Sequence, residues 1–255
     1  PPPPPPPTPP PPPPTPPRPK SSAATDVYKR QVNSGSSANL LAVKSLNLKK
    51  GSKVITPALT FSTTVSPLVQ SDLIPLFVDV EKETLQINTK LFENIALENV
   101  SAICVPNLIG NIANWNEIYS FAQANNLKVI EDSADTIGYK YESDLKDWAD
   151  VSTTSFYASH VVTGAGFGGM VCYKDKENYD LGLSLRGWGR RSSLYGESED
   201  YERRFSAKID GLDYDDKYIF DDIAYNFLPS EISAAFALVQ ICLLYTSDAA
   251  DDLGR

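Results

Sequence analysis

His160 is the only histidine in this chain of 255 residues, and it follows Ser155, Phe156, Tyr157, Ala158 and Ser159 just before a glycine-rich loop, 163–169. An imidazole titrates near neutrality, so it takes or gives a proton under ordinary conditions. One histidine cannot build a multi-histidine metal site, and three scattered cysteines do not supply a zinc centre. Glu131 and Asp132 close an apolar, strand-like run. A carboxylate at the carboxyl end of a parallel strand faces the ligand crevice, where it can hold a proton on a heterocyclic nitrogen. Ser34, Gly35, Ser36 and Ser37 stand before a helical pattern, where free N–H groups and the positive end of the dipole bind phosphate. Each piece also has a plainer use: a satisfied core or surface histidine, a capping aspartate, an ordinary N-cap.

Positioning these groups falls to short β-branched or apolar runs at 54–56, 73–80, 102–105, 128–131, 152–157 and 169–173, which predict strands. Helical patterns at 38–48, 63–70 and 118–125 lie between several of them, and another begins at Ser230 and runs to 238. Strands alternating with helices of this length predict an α/β unit around a mostly parallel sheet. Residues 186–222 are polar, aromatic and poorly periodic, as expected of an excursion that carries function or a subunit contact.

Sixteen of the 21 prolines fall in residues 1–20, so that stretch cannot bury a core. Residues 21–31 and 242–252 can be encoded by one DNA linker read in opposite directions, similar to a transposase adapter used in sequencing. The sequence reading therefore sets aside 1–31 and 242–255 as non-native tails and expects the folded part at 32–241. The formal charge is −9, which argues against a nonspecific nucleic-acid or anionic-membrane partner. Setting aside Cys242 leaves Cys104 and Cys172 in apolar runs, with no disulfide framework, so the cytoplasm is the expected compartment.

In order and spacing, Ser34 to Ser37, then Pro57 to Thr64, Glu131 to Asp135, Ser155 to Gly169 and Gly211 to Asn226 resemble the DegT/DnrJ/EryC1/StrS sugar aminotransferase family. The resemblance implies the large domain of a fold-type-I pyridoxal phosphate protein, an α/β/α sandwich, incomplete here for want of an N-terminal segment and the small C-terminal domain. It implies that Ser36 and Ser37, with Ser155, hold the cofactor phosphate. By the same resemblance Phe61 lies on the pyridine ring, Asp132 pairs with the ring nitrogen, and Asn226 reaches the phosphate of the neighbouring subunit in a homodimer.

Aminotransferases of this family carry a lysine where this chain has His160, because only a primary amine bonds covalently to the cofactor aldehyde. The substitution resembles the 3-dehydratases of nucleotide-linked 4-keto-6-deoxyhexoses, enzymes of deoxysugar and lipopolysaccharide O-antigen biosynthesis. These start from pyridoxamine phosphate, with the histidine as base. Asp135 stands where the aminotransferases more often have His or Gln, which fits the same subgroup. Some members bind an iron–sulfur cluster on cysteines after an Arg-x-Trp-Gly-Arg motif. Here Arg186 to Arg190 match that motif but no cysteine follows up to Phe205, so the cluster-free type is expected, recharged by an amino donor such as glutamate. A noncatalytic cofactor-binding homologue is the rival reading. The truncated chain alone is expected to be inactive.

Overall fold

The computed structural model describes residues 28–137, 149–195 and 201–253. The chain order is β1 (Tyr28–Val32), α1 (Gly35–Ser45), β2 (Lys53–Pro57), α2 (Ser62–Gln70), β3 (Ile74–Val78), β4 (Val100–Pro106), α3 (Trp115–Ala124), β5 (Lys128–Asp132), β6 (Val151–Ser155), β7 (Gly169–Tyr173) and α4 (Lys176–Arg186). A small excursion follows with α5 (Tyr201–Arg204) and the hairpin β8 (Ala207–Ile209) and β9 (Leu212–Tyr214), before α6 (Glu231–Leu253).

The first seven strands form one sheet in the order β1-β7-β6-β5-β4-β2-β3. Pairings from β3 through β6 are parallel, and β7 joins antiparallel to both β6 and β1. Alternation along the parallel strands sorts the core into two layers. Val54, Ala102, Cys104 and Ile130 pack with Leu41 and Ala42 of α1 and Leu68 of α2. Their neighbours Ile55, Ile103, Val105 and Val129 pack on the other face with Trp115, Ile118 and Ala122 of α3. Helices on both faces make the expected α/β/α sandwich.

Several boundaries differ from the sequence reading, each for a local reason. Helix α1 starts at Gly35 rather than 38, because the Ser34 side chain accepts from the Ser37 N–H and caps it. Helix α3 starts at Trp115 for the same reason, with Asn114 as cap. The unforeseen α4 is polar on average and buries a short stripe, Gly182 to Leu185. Its Gly182 is required where the Tyr173 hydroxyl approaches: a Cβ there would lie 2.2 Å from it.

Regular backbone crosses both boundaries drawn for the folded part. Strand β1 begins at Tyr28, with only Val32 buried, and α6 extends to Leu253. Strand pairing uses main-chain groups and is indifferent to the side chains that an edge strand carries. None of the described helices is long and apolar enough to cross a membrane.

Candidate active site

The carboxyl ends of β4, β5 and β6 and the N-terminus of α1 surround a cavity of about 690 Å³. Its wall includes Ser36, Phe61, Asp132, Asp135, Ser155 and His160. Six of the eight residues singled out from the sequence therefore meet in one place. Of the other two, Ser37 sits a step back in the first turn of α1 with its hydroxyl accepting from Ser34 Oγ at 3.0 Å. Asn226 is bridged to Gly187, and its Oδ1 accepts from the Leu228 N–H at 3.4 Å, away from the cavity wall.

Of the two adjacent carboxylates, strand alternation chooses Asp132 for the cavity. Glu131 is buried on the other face, where it accepts from Asn107 Nδ2 at 2.8 Å and from Ser133 Oγ at 2.5 Å. Asp132 is only 7% exposed. Its Oδ2 accepts from Asn39 Nδ2 at 2.7 Å and from Thr64 Oγ1 at 2.9 Å, and its Oδ1 from the Ala134 N–H at 3.3 Å. Burial pushes its pKa up, while these hydrogen bonds pull it back toward the charged form. A carboxylate so placed gains most from a cationic partner inside the cavity. Behind it the Cys104 thiol is buried and pushed well above its usual range, by burial and then by the Asp132 charge, and so stays neutral.

His160 is held by one edge of its ring. Nδ1 lies 3.2 Å from the Ser155 carbonyl, which can only accept, so Nδ1 carries a hydrogen and the neutral ring has its lone pair on Nε2. That nitrogen is 3.5 Å from Asp135 Oδ1. Asp135 also takes the Ile109 N–H on Oδ2 at 3.1 Å. Ile109 has φ 60°, a strained value for a β-branched residue, so this bond helps to hold a loop that lines the cavity.

Close approach of α1 to β6 depends on Gly35. A Cβ there would stand 2.5 Å from Ser155 Cβ and 2.7 Å from its Oγ, so the N-terminal turn of the helix would have to move. Gly35→Ala is expected to destabilise the cofactor-free protein by about 1–3 kcal/mol, the usual cost of overpacking. Chemical denaturation checks it, and an unchanged midpoint would show that the turn yields freely.

This donor set fits a phosphorylated pyridine. The α1 N-terminus and Ser36 suit an anion, Asp132 suits a protonated ring nitrogen, and Phe61, 67% exposed at the wall, offers a ring face for stacking. Sequence reasoning missed Asn39, Thr64 and Thr153. Asn39 had one visible signal, a polar side chain beside Ala38, Leu41 and Ala42 on the apolar stripe of α1. Among the described residues no group of three His, Cys, Asp or Glu side chains is arranged to hold a metal ion.

Residues 27–246 match the DegT/DnrJ/EryC1/StrS aminotransferase family. The chain is 38% identical over 220 residues to the lipopolysaccharide biosynthesis protein RfbH of Salmonella typhimurium, covering 82% of this chain and 50% of that protein. It is 37% identical over 222 residues to the dTDP-4-dehydro-2,6-dideoxy-D-glucose 3-dehydratase of Saccharopolyspora spinosa, covering 82% and 48%. The structure resembles the E. coli GDP-4-keto-6-deoxy-D-mannose-3-dehydratase with bound hydrated PLP, with a TM-score of 0.72 and 29% identity, over 85% of this chain and 56% of that one. The chain spans about half the length of the relatives it matches.

Proposed function

Given that the chain belongs to the DegT/DnrJ/EryC1/StrS aminotransferase family, we propose that the whole protein is a 3-dehydratase of a nucleotide-linked 4-keto-6-deoxyhexose, using pyridoxamine phosphate. The observation that carries this reading is His160 on the wall of the cavity that Asp132 closes, with no lysine among the described residues lining it. Two relatives named as 3-dehydratases support it. The family also contains aminotransferases, and those need a lysine in this place.

When bound, the cofactor would supply a primary amine for the C4 ketone of the sugar and a ring that shares the electron pair released at the cofactor's C4′ carbon until the C3 hydroxyl departs with it. The chain's own residues do the rest. The first turn of α1, with Ser36, holds the phosphate. Phe61 lies on the ring and fixes its plane. Asp132 keeps the proton on the ring nitrogen. Nε2 of His160 removes a proton from the C4′ carbon, and Asp135 stands where it stabilises the imidazolium that results. Hydrolysis would release the amine nitrogen as ammonia with the 3-deoxy ketone, and glutamate or a similar amino acid would then restore the amine.

Incubating the whole protein with pyridoxamine phosphate, an amino donor and a nucleotide-linked 4-keto-6-deoxyhexose tests this directly. The expected product is the 3-deoxy-4-keto sugar. A 4-amino sugar with its C3 hydroxyl kept would make the protein an aminotransferase, and no turnover with bound cofactor would favour the noncatalytic reading.

The protein is further proposed to act in the cytoplasm as a homodimer, in which Asn226, lying off its own cavity, serves the neighbouring one. It is also proposed to need no iron. Cys104 is buried on β4 and Cys172 lies on β7, and no cysteine follows Arg190 before Cys242. Protein purified without oxygen is expected to contain neither stoichiometric iron nor acid-labile sulfide, and finding both would overturn this.

A further inference from the structure

Asn39 is almost fully buried on α1 and touches three other elements. Its Nδ2 donates to Asp132 Oδ2 on β5 at 2.7 Å and to the Thr63 carbonyl on α2 at 3.2 Å. Its Oδ1 accepts from Thr153 Oγ1 on β6 at 2.5 Å. An amide can present either end to a carboxyl group, and the two choices mean different things. The NH2 end bonds an ionised carboxylate, whereas the oxygen end bonds only a protonated one.

One partner decides the direction. The Thr63 carbonyl can only accept, so it demands the NH2 end. That carbonyl is available because the residue four positions on is Pro67, inside α2, which has no N–H to return the helical bond. The Thr153 hydroxyl donates to the other end. Thr64 adds a second donor to the same Asp132 oxygen at 2.9 Å.

We propose that Asn39 is a positioning residue whose amide, oriented by the Thr63 carbonyl, selects the ionised form of Asp132 and thereby the protonated form of the cofactor ring nitrogen. This rests on the cofactor reading above, though not on the dehydration step. Donors on a carboxylate lower its proton affinity, so the shared proton stays on the ring. The other titratable groups facing Asp132 do not supply this bias. Asp135 opposes it by like charge, Cys104 is neutral behind it, and His160 shares the cavity wall.

The test uses pyridoxal phosphate carrying an isotope-labelled ring nitrogen, bound to the whole protein and followed by NMR against pH. Three variants are compared. Asn39→Leu removes the amide at similar volume, Thr153→Val removes the bond to the amide oxygen while the Thr63 carbonyl still orients the amide, and Thr153→Ser keeps the hydroxyl. The ring nitrogen is expected to stay protonated in the wild type and in both Thr153 variants. In Asn39→Leu it should lose its proton at least one pH unit lower, about a tenfold change in proton affinity. If Asn39→Leu titrates like the wild type while the wild-type nitrogen is protonated, this inference falls and the cofactor reading stands. A wild-type nitrogen that is never protonated would remove Asp132 from the ring altogether.

Discussion

With His160 replaced by lysine, borohydride should join bound pyridoxal phosphate to the protein, and the wild type should stay unlabelled. The imidazole is tethered through Nδ1 to the Ser155 carbonyl and reaches the wall of the same cavity as Asp132. A lysine grown from that position puts a primary amine within reach of the cofactor aldehyde, which imidazole cannot do. Dehydration in this variant should fall by roughly 10²–10⁴-fold, the range a positioned base contributes. An amine tied up by the cofactor is no longer free to remove the C4′ proton. His160→Asn should bind cofactor yet fail to exchange that proton. If the lysine variant gives no adduct, or the asparagine variant dehydrates normally, His160 is a bystander and the noncatalytic reading gains.

Asp132→Asn should separate catalysis from stability in opposite directions. Turnover of the whole protein is expected to fall by about 10²–10³-fold, as when a preorganised electrostatic partner is lost where charge develops. An amide cannot hold the ring nitrogen protonated. The cofactor-free protein, in contrast, should melt at a higher temperature at neutral pH. Burial raises the folded pKa of Asp132 above its unfolded value. The penalty for the charge is therefore absent below the unfolded pKa and fully present once pH exceeds the folded pKa. The near-isosteric amide avoids that charge and can turn its oxygen to Asn39 and Thr64, giving up only the long bond from the Ala134 N–H. Thermal melts on the cofactor-free pair and steady-state rates on the loaded pair check the two halves. Normal turnover would remove Asp132 from the ring nitrogen, and a lower melting temperature would show that burial does not dominate its environment.

Much of this architecture was legible in the chain because the parallel strands are short, apolar and bounded. Runs such as 102–105 are wholly apolar and buried, and alternation with helical patterns leaves few ways to stack them. The edge was harder to read. Strand β1 is exposed over Lys29, Arg30 and Gln31, and only Tyr28 and Val32 pack on the core, so its hydrophobic signature is weak. Helix α4 buries a narrow stripe within a polar sequence, which weakens the helical signal that periodicity provides.

The amino-acid order alone determined the chemistry on offer: a histidine in place of a lysine, an aspartate at a strand end, serines at a helix start, and no cysteine between Arg190 and Cys242. Each is a matter of residue type and position along one element. The family resemblance already names Asp132 over Glu131, and only the tertiary structure decided which groups hold it. Asn39 and Thr64 are 93 and 68 residues away from Asp132 in sequence, and nothing in the sequence pairs either of them with it. The docking of α1 and α2 on the sheet puts their two donors on one buried oxygen. Where water is excluded, a carboxylate must be paired by whatever that packing brings within reach.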